Sequence, residues 1–149
     1  MAAITTTLSP PDGWLDKTMI VHSAPHDPAS AMAANIVVSR DALLPDESFA
    51  AYCDRQDGVF RENLPGYQHE DRRTGVLQER TATQIAFTWT SSAGRLRQQA
   101  TFIDAGSGLV VGFTASAAAQ DFEKHRDLFN RQLAALRIEG APVEASAAG

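Results

Sequence analysis

Residues 84–115, QIAFTWTSSAGRLRQQATFIDAGSGLVVGFTA, decide the fold of this chain. Apolar side chains alternate with polar or small ones in three runs, and short glycine-containing turns separate the runs. Such runs predict a three-stranded antiparallel meander with one buried face. Leu96, Ala100 and Phe102 share that face with Gln98, because side chains two residues apart point the same way. A buried amide must be hydrogen-bonded or it destabilises the fold, so Gln98 needs an explanation beyond the strand pattern.

The length and composition predict one soluble domain. At 149 residues the chain can fill one core and is too short for two, so we assign residues 1–140 to a single domain. Residues 141–149, APVEASAAG, are small and unpatterned, and we expect a disordered tail there. No apolar run approaches the ~18 residues of a membrane helix, and the first residues carry no secretory signal pattern. We therefore expect a cytoplasmic protein without direct membrane insertion.

Charge and motifs argue against several functional classes. The formal net charge is -5 and the basic residues form no stripe, so nucleic acid is not an expected partner. Cys53 is the single cysteine, which excludes an internal disulfide, and its helical context predicts a packed hydrophobe. The four histidines lack metal-binding spacing, and no phosphate-binding or serine-hydrolase motif is present. We expect no metal, no cofactor and no enzymatic activity.

The N-terminal half predicts two strands followed by a helix. Alternation over residues 18–22 and the β-branched run over residues 35–39 predict two paired strands. Asp46 is placed to cap a helix that continues to about Asn63, and Pro65 then stops it. This order of elements leads into the meander.

The predicted helix carries a second amide on its apolar side. Its apolar stripe consists of Phe49, Tyr52, Cys53, Val59 and Phe60. Gln56 lies seven residues after Phe49, two helical turns on, and so belongs to the same side. Gln56 either faces a binding surface or bonds the sheet backbone inside the core.

The remaining segments predict a polar sheet edge and a second helix. Residues 67–80 alternate weakly, are interrupted at residues 74–75, and fit a polar strand pair at an edge. Ser116 can cap a helix that Gly140 ends. The packing face of that helix is predicted to be Phe122, Phe129, Leu133 and Leu136. The predicted fold class is α+β, an antiparallel β-sheet with helices packed on it.

Five segments resemble one known family. They are PDGWLDKT at residues 11–18, NIVVSRD at 35–41, the helix carrying residues 52–56, FTW at 87–89 and LRQQA at 96–100. In this order they resemble the DcrB-related family and, more narrowly, its Eag branch of adaptor chaperones for type VI secretion effectors. The resemblance extends over residues 8–138, nearly the whole chain.

The resemblance implies a fold, an assembly and a partner. The fold would be a PsbP-like α/β sandwich, and the protein a cytoplasmic homodimer. It would hold the hydrophobic N-terminal transmembrane helices of an effector, beside the effector's PAAR spike domain, until the effector is loaded. The alternative is a small-molecule-binding or enzymatic PsbP-like domain, which predicts an enclosed pocket with convergent polar groups and perturbed titrating residues.

The resemblance also implies a client-helix site. Ile20 and Val37 would provide an apolar surface, and Gln56 and Gln98 its amides. His22, two residues beyond Ile20, would belong to the same surface, although an aliphatic residue would fit it better. A bulge that shifted the register would replace Gln98 by its neighbour Gln99.

Overall fold

The computed structural model describes residues 4, 6–30 and 32–139 and has the predicted α+β architecture. A six-stranded sheet, in which every neighbouring pair is antiparallel, has the strand order β1-β2-β6-β5-β4-β3. The elements are β1 (Ile20–Ser23), β2 (Asn35–Ala42), α1 (Phe49–Asn63), β3 (Gln68–Leu77), β4 (Arg80–Ser91), β5 (Gly94–Gly106), β6 (Leu109–Ala118) and α2 (Phe122–Ala135). The predicted tail, residues 141–149, lies outside the described residues. Among the described helices, none is long and apolar enough to cross a membrane.

The predicted meander is confirmed as β4, β5 and β6, but the prediction of one buried face is wrong, because Phe113 and Ala115 of β6 are buried on the opposite face. Gln98 pairs with Phe87 on one side and with Ser116 on the other, so all three side chains lie on the same face of the sheet. The turn between β5 and β6 places Gly106 and Gly108 at φ values of 89° and 76°, which explains the glycines there. Gln98 shares its face with Leu96, Ala100 and Phe102, as the alternation predicts.

The two helices pack on opposite faces of the sheet. We call these faces the α1 face and the α2 face. The α1 face buries Ile85, Phe87, Ala100, Phe102 and Val110 against Tyr52 and Cys53 of α1. The α2 face buries Ile36, Phe113, Ala115 and Ala117 against Phe122 and Phe129 of α2. The sheet thus carries a separate core on each side.

Helix α1 begins later than predicted. Its N-cap is Ser48, whose Oγ accepts a hydrogen bond from the Ala51 amide at 3.0 Å. Asp46, the predicted cap, lies in the preceding turn with φ 62° and cannot fill that role. The predicted stripe holds except at Val59, which is 43% exposed, whereas Asp57 is buried.

Helix α2 also begins later than predicted. Ser116 is not its cap but a buried residue of β6, because β6 continues to pair with β5 as far as Ala118. The N-cap position is Asp121. The predicted packing face is confirmed, since Phe122 and Phe129 are buried and Leu133 and Leu136 pack against the same cluster. Helix α2 ends at Ala135, so Leu136 lies at its C-cap, and the predicted stop at Gly140 lies outside the described residues.

The predicted polar edge is confirmed, because β3 is the outermost strand on its side. Residues 74–75 lie within β3, so the predicted interruption there is wrong. The turn is formed instead by Gln78 and Glu79, both with positive φ values, of 51° and 68°. Gln78 Nε2 donates to the carbonyls of Ala134 (3.0 Å) and Leu136 (2.9 Å), so this turn caps the end of α2.

Candidate functional site

Helix α1 leaves part of its own face of the sheet open. It packs on β4, β5 and one end of β6, whereas Val37 of β2 and Thr114 of β6, which pair with each other, remain half-buried. Val21 of β1 pairs with Val37 on the same face and is 59% exposed. We call this open region, formed by Val21, Val37, Gln98 and Thr114 beside α1, the α1-face groove.

The pairing register separates the predicted site residues between the two faces. Ile20 pairs with Val38, and His22 pairs with Ile36, which is buried under α2. Ile20 and His22 therefore lie on the α2 face, opposite Val37 and Gln98. Within one chain, the five predicted residues do not share one surface. Val21 lies beside Val37, in the place predicted for Ile20.

Gln98 is hydrogen-bonded to two neighbouring strands. Trp89 Nε1 donates to Gln98 Oε1 at 2.6 Å, and Gln98 Nε2 donates to Ser116 Oγ at 2.6 Å. The side chain stays half-buried. Gln99 lies on the α2 face between Ala86 and Ala115, because the irregularity in β5 falls at residues 104–106 and leaves the register at Gln98 unshifted. The groove amide is therefore Gln98.

Gln56 lies on the flank of α1 that faces β2. It follows Tyr52 by one helical turn, and the Tyr52 hydroxyl donates to Asp41 of β2 at 2.9 Å. Gln56 is half-buried, and its side chain makes no hydrogen bond with the described part of the chain. Within the described residues, Gln56 therefore does not bond the sheet backbone inside the core, as the alternative predicted. Val59 was predicted in the apolar stripe of α1 but is exposed on the same flank as Gln56, where it adds an apolar side chain.

A cluster of ion pairs around the buried Asp57 holds the other flank of α1 on β3. Asp57 accepts hydrogen bonds from the Tyr67 hydroxyl (3.2 Å) and Arg72 Nη1 (3.4 Å) and lies 3.2 Å from Arg61 Nε. Arg72 Nη2 also donates to Asp54 at 2.7 Å. Burial, together with the neighbouring Asp57 carboxylate, raises the pKa of Tyr67 to about 12, so its hydroxyl remains a donor at neutral pH. Because Arg72 belongs to β3, these bonds tie α1 to that strand.

Hydrogen bonds of Asp41 and Glu47 fix the side of α1 that faces β2, near the N-terminus of the helix. Burial alone would raise the pKa of Asp41, but hydrogen bonds from the Ala42 amide, the Tyr52 hydroxyl and Lys17 outweigh it and lower that pKa. Glu47 accepts two hydrogen bonds from Arg55, at 2.8 and 2.9 Å, and they hold the pKa of Glu47 below its usual value. Both carboxylates therefore stay ionised and structural at neutral pH.

The α2 face contains a cavity of about 380 Å³ near the end of α2. Its apolar lining includes Ile20, Val38, Leu109 and Leu136. Three carboxylates line it, and two of them are engaged within the chain: Asp16 accepts hydrogen bonds from Thr18 and Arg40, and Asp41 pairs with Lys17, whereas Glu139 is exposed. The bonds from Thr18, with a smaller contribution from Arg40, lower the pKa of Asp16.

The lowered pKa values of Asp16 and Asp41 are the opposite of what a general acid tuned toward neutral pH, as the small-molecule and enzymatic alternative predicts, would show. Among the described residues, no cluster of three or more His, Cys, Asp or Glu side chains is placed to bind a metal ion. Cys53 is buried, and burial raises the pKa of its thiol, so it is a packed residue.

An α+β domain with one antiparallel sheet between two helices and an open, partly apolar groove fits the class of small PsbP-like domains. The model of the DcrB family matches residues 6–135, and the chain belongs to that family. The chain is similar to the Pseudomonas aeruginosa protein called effector EagT6, with 25% identity over 126 residues, 85% of this chain and 86% of that protein.

Two solved structures share the fold. A Pseudomonas aeruginosa protein of unknown function, PA94, described as a putative regulator, has a TM-score of 0.78 at 24% identity and covers 88% of this chain and 90% of its own. The solution structure of PsbP (CyanoP) from Synechocystis sp. PCC 6803 has a TM-score of 0.55 at 8% identity, with coverage of 81% and 82%. These likenesses concern the fold alone, and the predicted PsbP-like architecture is confirmed.

Proposed function

We propose that this protein is a chaperone and adaptor of a type VI secretion effector. It binds the hydrophobic N-terminal transmembrane helices of the effector and shields them until the effector, with its PAAR spike domain, is loaded. The observation that carries the proposal is the α1-face groove, an open apolar surface with two amides beside it, in a DcrB-family chain similar to EagT6. The protein would act as a binding protein without catalysis, in the cytoplasm, where effectors are made.

The composition of the groove suits an apolar helix. Val21, Val37 and Val59 expose aliphatic area, and burial of such area contributes about 25 cal/mol per Å². Gln56 and Gln98 add groups that can bond a helix carbonyl or a small polar side chain, as happens between helices in a bilayer. Area would supply the affinity, and the amides would orient the client.

A single groove is small for more than one helix, so we propose that two copies combine their grooves in a homodimer. An exposed apolar region on each copy favours such symmetric pairing. Light scattering at micromolar concentration should return twice the 16.0 kDa chain mass. A constant mass of one chain over a wide concentration range would contradict the dimer.

The direct test of client binding uses a defined probe. A soluble carrier protein is fused to an N-terminal helix of about 20 leucine and alanine residues, long enough to span a bilayer. We expect the chaperone to form a complex with this fusion and to keep it from aggregating, while the carrier alone stays unbound. If the protein bound neither this fusion nor any other apolar helix of this length, the proposed function would be refuted.

A further inference from the structure

Three side chains form a hydrogen-bonded row across the α1 face. Trp89 of β4, Gln98 of β5 and Ser116 of β6 come from three adjacent strands. Gln98 and Ser116 are direct partners in the register, and Trp89 is the next residue of β4 on the same face after Phe87, the partner of Gln98. Ser116 is buried, whereas Trp89 and Gln98 are half-buried. The row thus crosses the sheet from β4 to β6, the strand that carries Thr114 of the α1-face groove.

The chemistry of the indole decides which way the amide points. An indole nitrogen can only donate, so the atom of Gln98 that faces Trp89 must be the oxygen. The amide nitrogen then points toward Ser116, which accepts one of its two hydrogens. The reversed amide would bring two N–H groups together at Trp89. Trp89 alone among the three residues imposes this choice, since a serine hydroxyl can donate or accept.

One N–H of the fixed amide remains available. Gln98 Nε2 has a second hydrogen, and it has no partner among the described residues, although the side chain is only half-buried. A donor held in a fixed direction loses little entropy when it binds an acceptor. The α1-face groove, which contains the half-buried Val37 and the exposed Val21, therefore also includes a hydrogen-bond donor held in place.

We infer that Trp89 is a positioning residue for client recognition, which holds the Gln98 amide so that its free N–H selects helices with a hydrogen-bond acceptor at that point. The inference rests on the proposed function and specifies its client chemistry. The preferred helix carries a serine or threonine hydroxyl, or an accessible backbone carbonyl, within an otherwise apolar segment. A purely aliphatic helix binds through apolar area alone and gains nothing from the amide.

The binding experiment compares two probes and two variants. The probes are the leucine–alanine helix fusion and the same fusion with one central serine. Wild-type protein should bind the serine helix about 3- to 10-fold more tightly, the effect of one hydrogen bond in apolar surroundings. Trp89→Phe keeps an aromatic ring and removes the donor, so it should abolish this preference while still binding the aliphatic helix. Trp14→Phe is the matched control, because Trp14 is 72% exposed and lines the cavity on the α2 face, away from the groove.

A spectroscopic readout tests the hydrogen bond without any client. The chain has two tryptophans, so ¹⁵N-labelled protein should give two indole N–H signals. Gln98→Met removes the acceptor with little change in volume and should move the Trp89 signal while leaving the Trp14 signal in place. The same variant should lose the preference for serine, which keeps the test decisive if Trp89→Phe does not fold.

The outcomes separate this inference from the proposed function. If wild-type protein binds both helices but Trp89→Phe and Gln98→Met keep the serine preference, the inference is wrong and the proposed function stands. The same holds if the Trp89 indole signal does not move in Gln98→Met. If Trp89→Phe weakens the binding of both helices by the same factor, Trp89 is a packing residue and the inference is again wrong. If wild-type protein binds neither helix, the proposed function fails and the inference with it.

Discussion

Each helix packs on only part of its own face of the sheet, and the regions beyond the two helices differ in burial and in chemistry. Beyond α2, the α2 face of β4 and β5 carries the half-buried Gln84 and the buried Gln99 and Thr101, and Gln84 Nε2 donates to Thr101 Oγ1 at 3.0 Å. Beyond α1, the α1 face of β1 and β2 carries Val21 and Val37. The polar region is largely buried and contains its own hydrogen bond, whereas an exposed apolar region favours a partner. The comparison singles out the α1-face groove as the interaction surface.

The geometry of the elements explains why each helix leaves part of its own face without helix contact. A helix is about 10 Å wide and strands lie ~4.8 Å apart, so one helix covers two or three strands of a six-stranded sheet. Which strands stay open depends on what anchors the helix. Asp57 with Arg72 and Tyr67 anchors α1 toward β3, and this leaves β1 and β2 uncovered on that side.

The largest expected effect is the difference in unfolding free energy between a substitution beneath a helix and a substitution in the groove. Phe113→Ala, beneath α2, should lower the free energy of unfolding by about 3–5 kcal/mol, because it leaves a cavity in the core. Val37→Ala, on the other face of the neighbouring strand, should cost about 1 kcal/mol or less, since it is half-exposed. Urea unfolding of both variants measures the difference. Equal losses would mean that Val37 is a core residue and that the groove is not open.

The next effect tests what holds α1 away from the groove. Asp57→Ala should cost about 2 kcal/mol, because it removes the carboxylate that bonds Tyr67 and Arg72. Gln56→Ala, one residue earlier on the opposite flank, should cost about 0.5 kcal/mol or less. A large loss for Gln56→Ala in thermal or urea unfolding would instead make Gln56 a core residue.

The smallest effect concerns the polar region on the α2 face. Gln84→Ala should cost about 1 kcal/mol, since Thr101, which is buried, loses the hydrogen bond that it accepts. The same variant should leave binding of the leucine–alanine helix fusion unchanged. A marked loss of helix binding would mean that the polar region also contacts the client and would remove the contrast between the two regions.

The sequence predicted the features that short-range patterns determine. Strict alternation in the meander placed Gln98 on the α1 face, and the spacing of Phe122 and Phe129 gave the buried face of α2. The same alternation places Trp89 on the face of Gln98. A partly buried indole N–H needs an acceptor, and this need was the feature of the sequence that could have predicted the Trp89–Gln98 hydrogen bond.

Other features depend on contacts distant in the sequence. β1 is a short edge strand in which Ile20 and Val21 are both exposed, so burial pattern cannot assign them to a face, and only pairing with β2 does. Ser116 has a side chain suited to a helix cap, but the pairing of β6 with β5 keeps it in a strand. Val59 has the spacing of a buried residue and is exposed because Asp57 is the side chain that α1 buries.

The central claim, that the client helix binds on the α1 face, is tested most directly by two adjacent substitutions in β1. Val21 and Ile20 are exposed to similar extents, 59% and 46%, and lie on opposite faces. Val21→Asp places a carboxylate in the groove and should weaken binding of the leucine–alanine helix fusion about 100-fold or more, since an unpaired charge in an apolar contact costs several kcal/mol. Ile20→Asp adds the same charge on the α2 face and should change the affinity by less than about 3-fold. Loss of binding with Ile20→Asp but not with Val21→Asp would contradict the account and place the client on the α2 face, at the cavity that Ile20 lines.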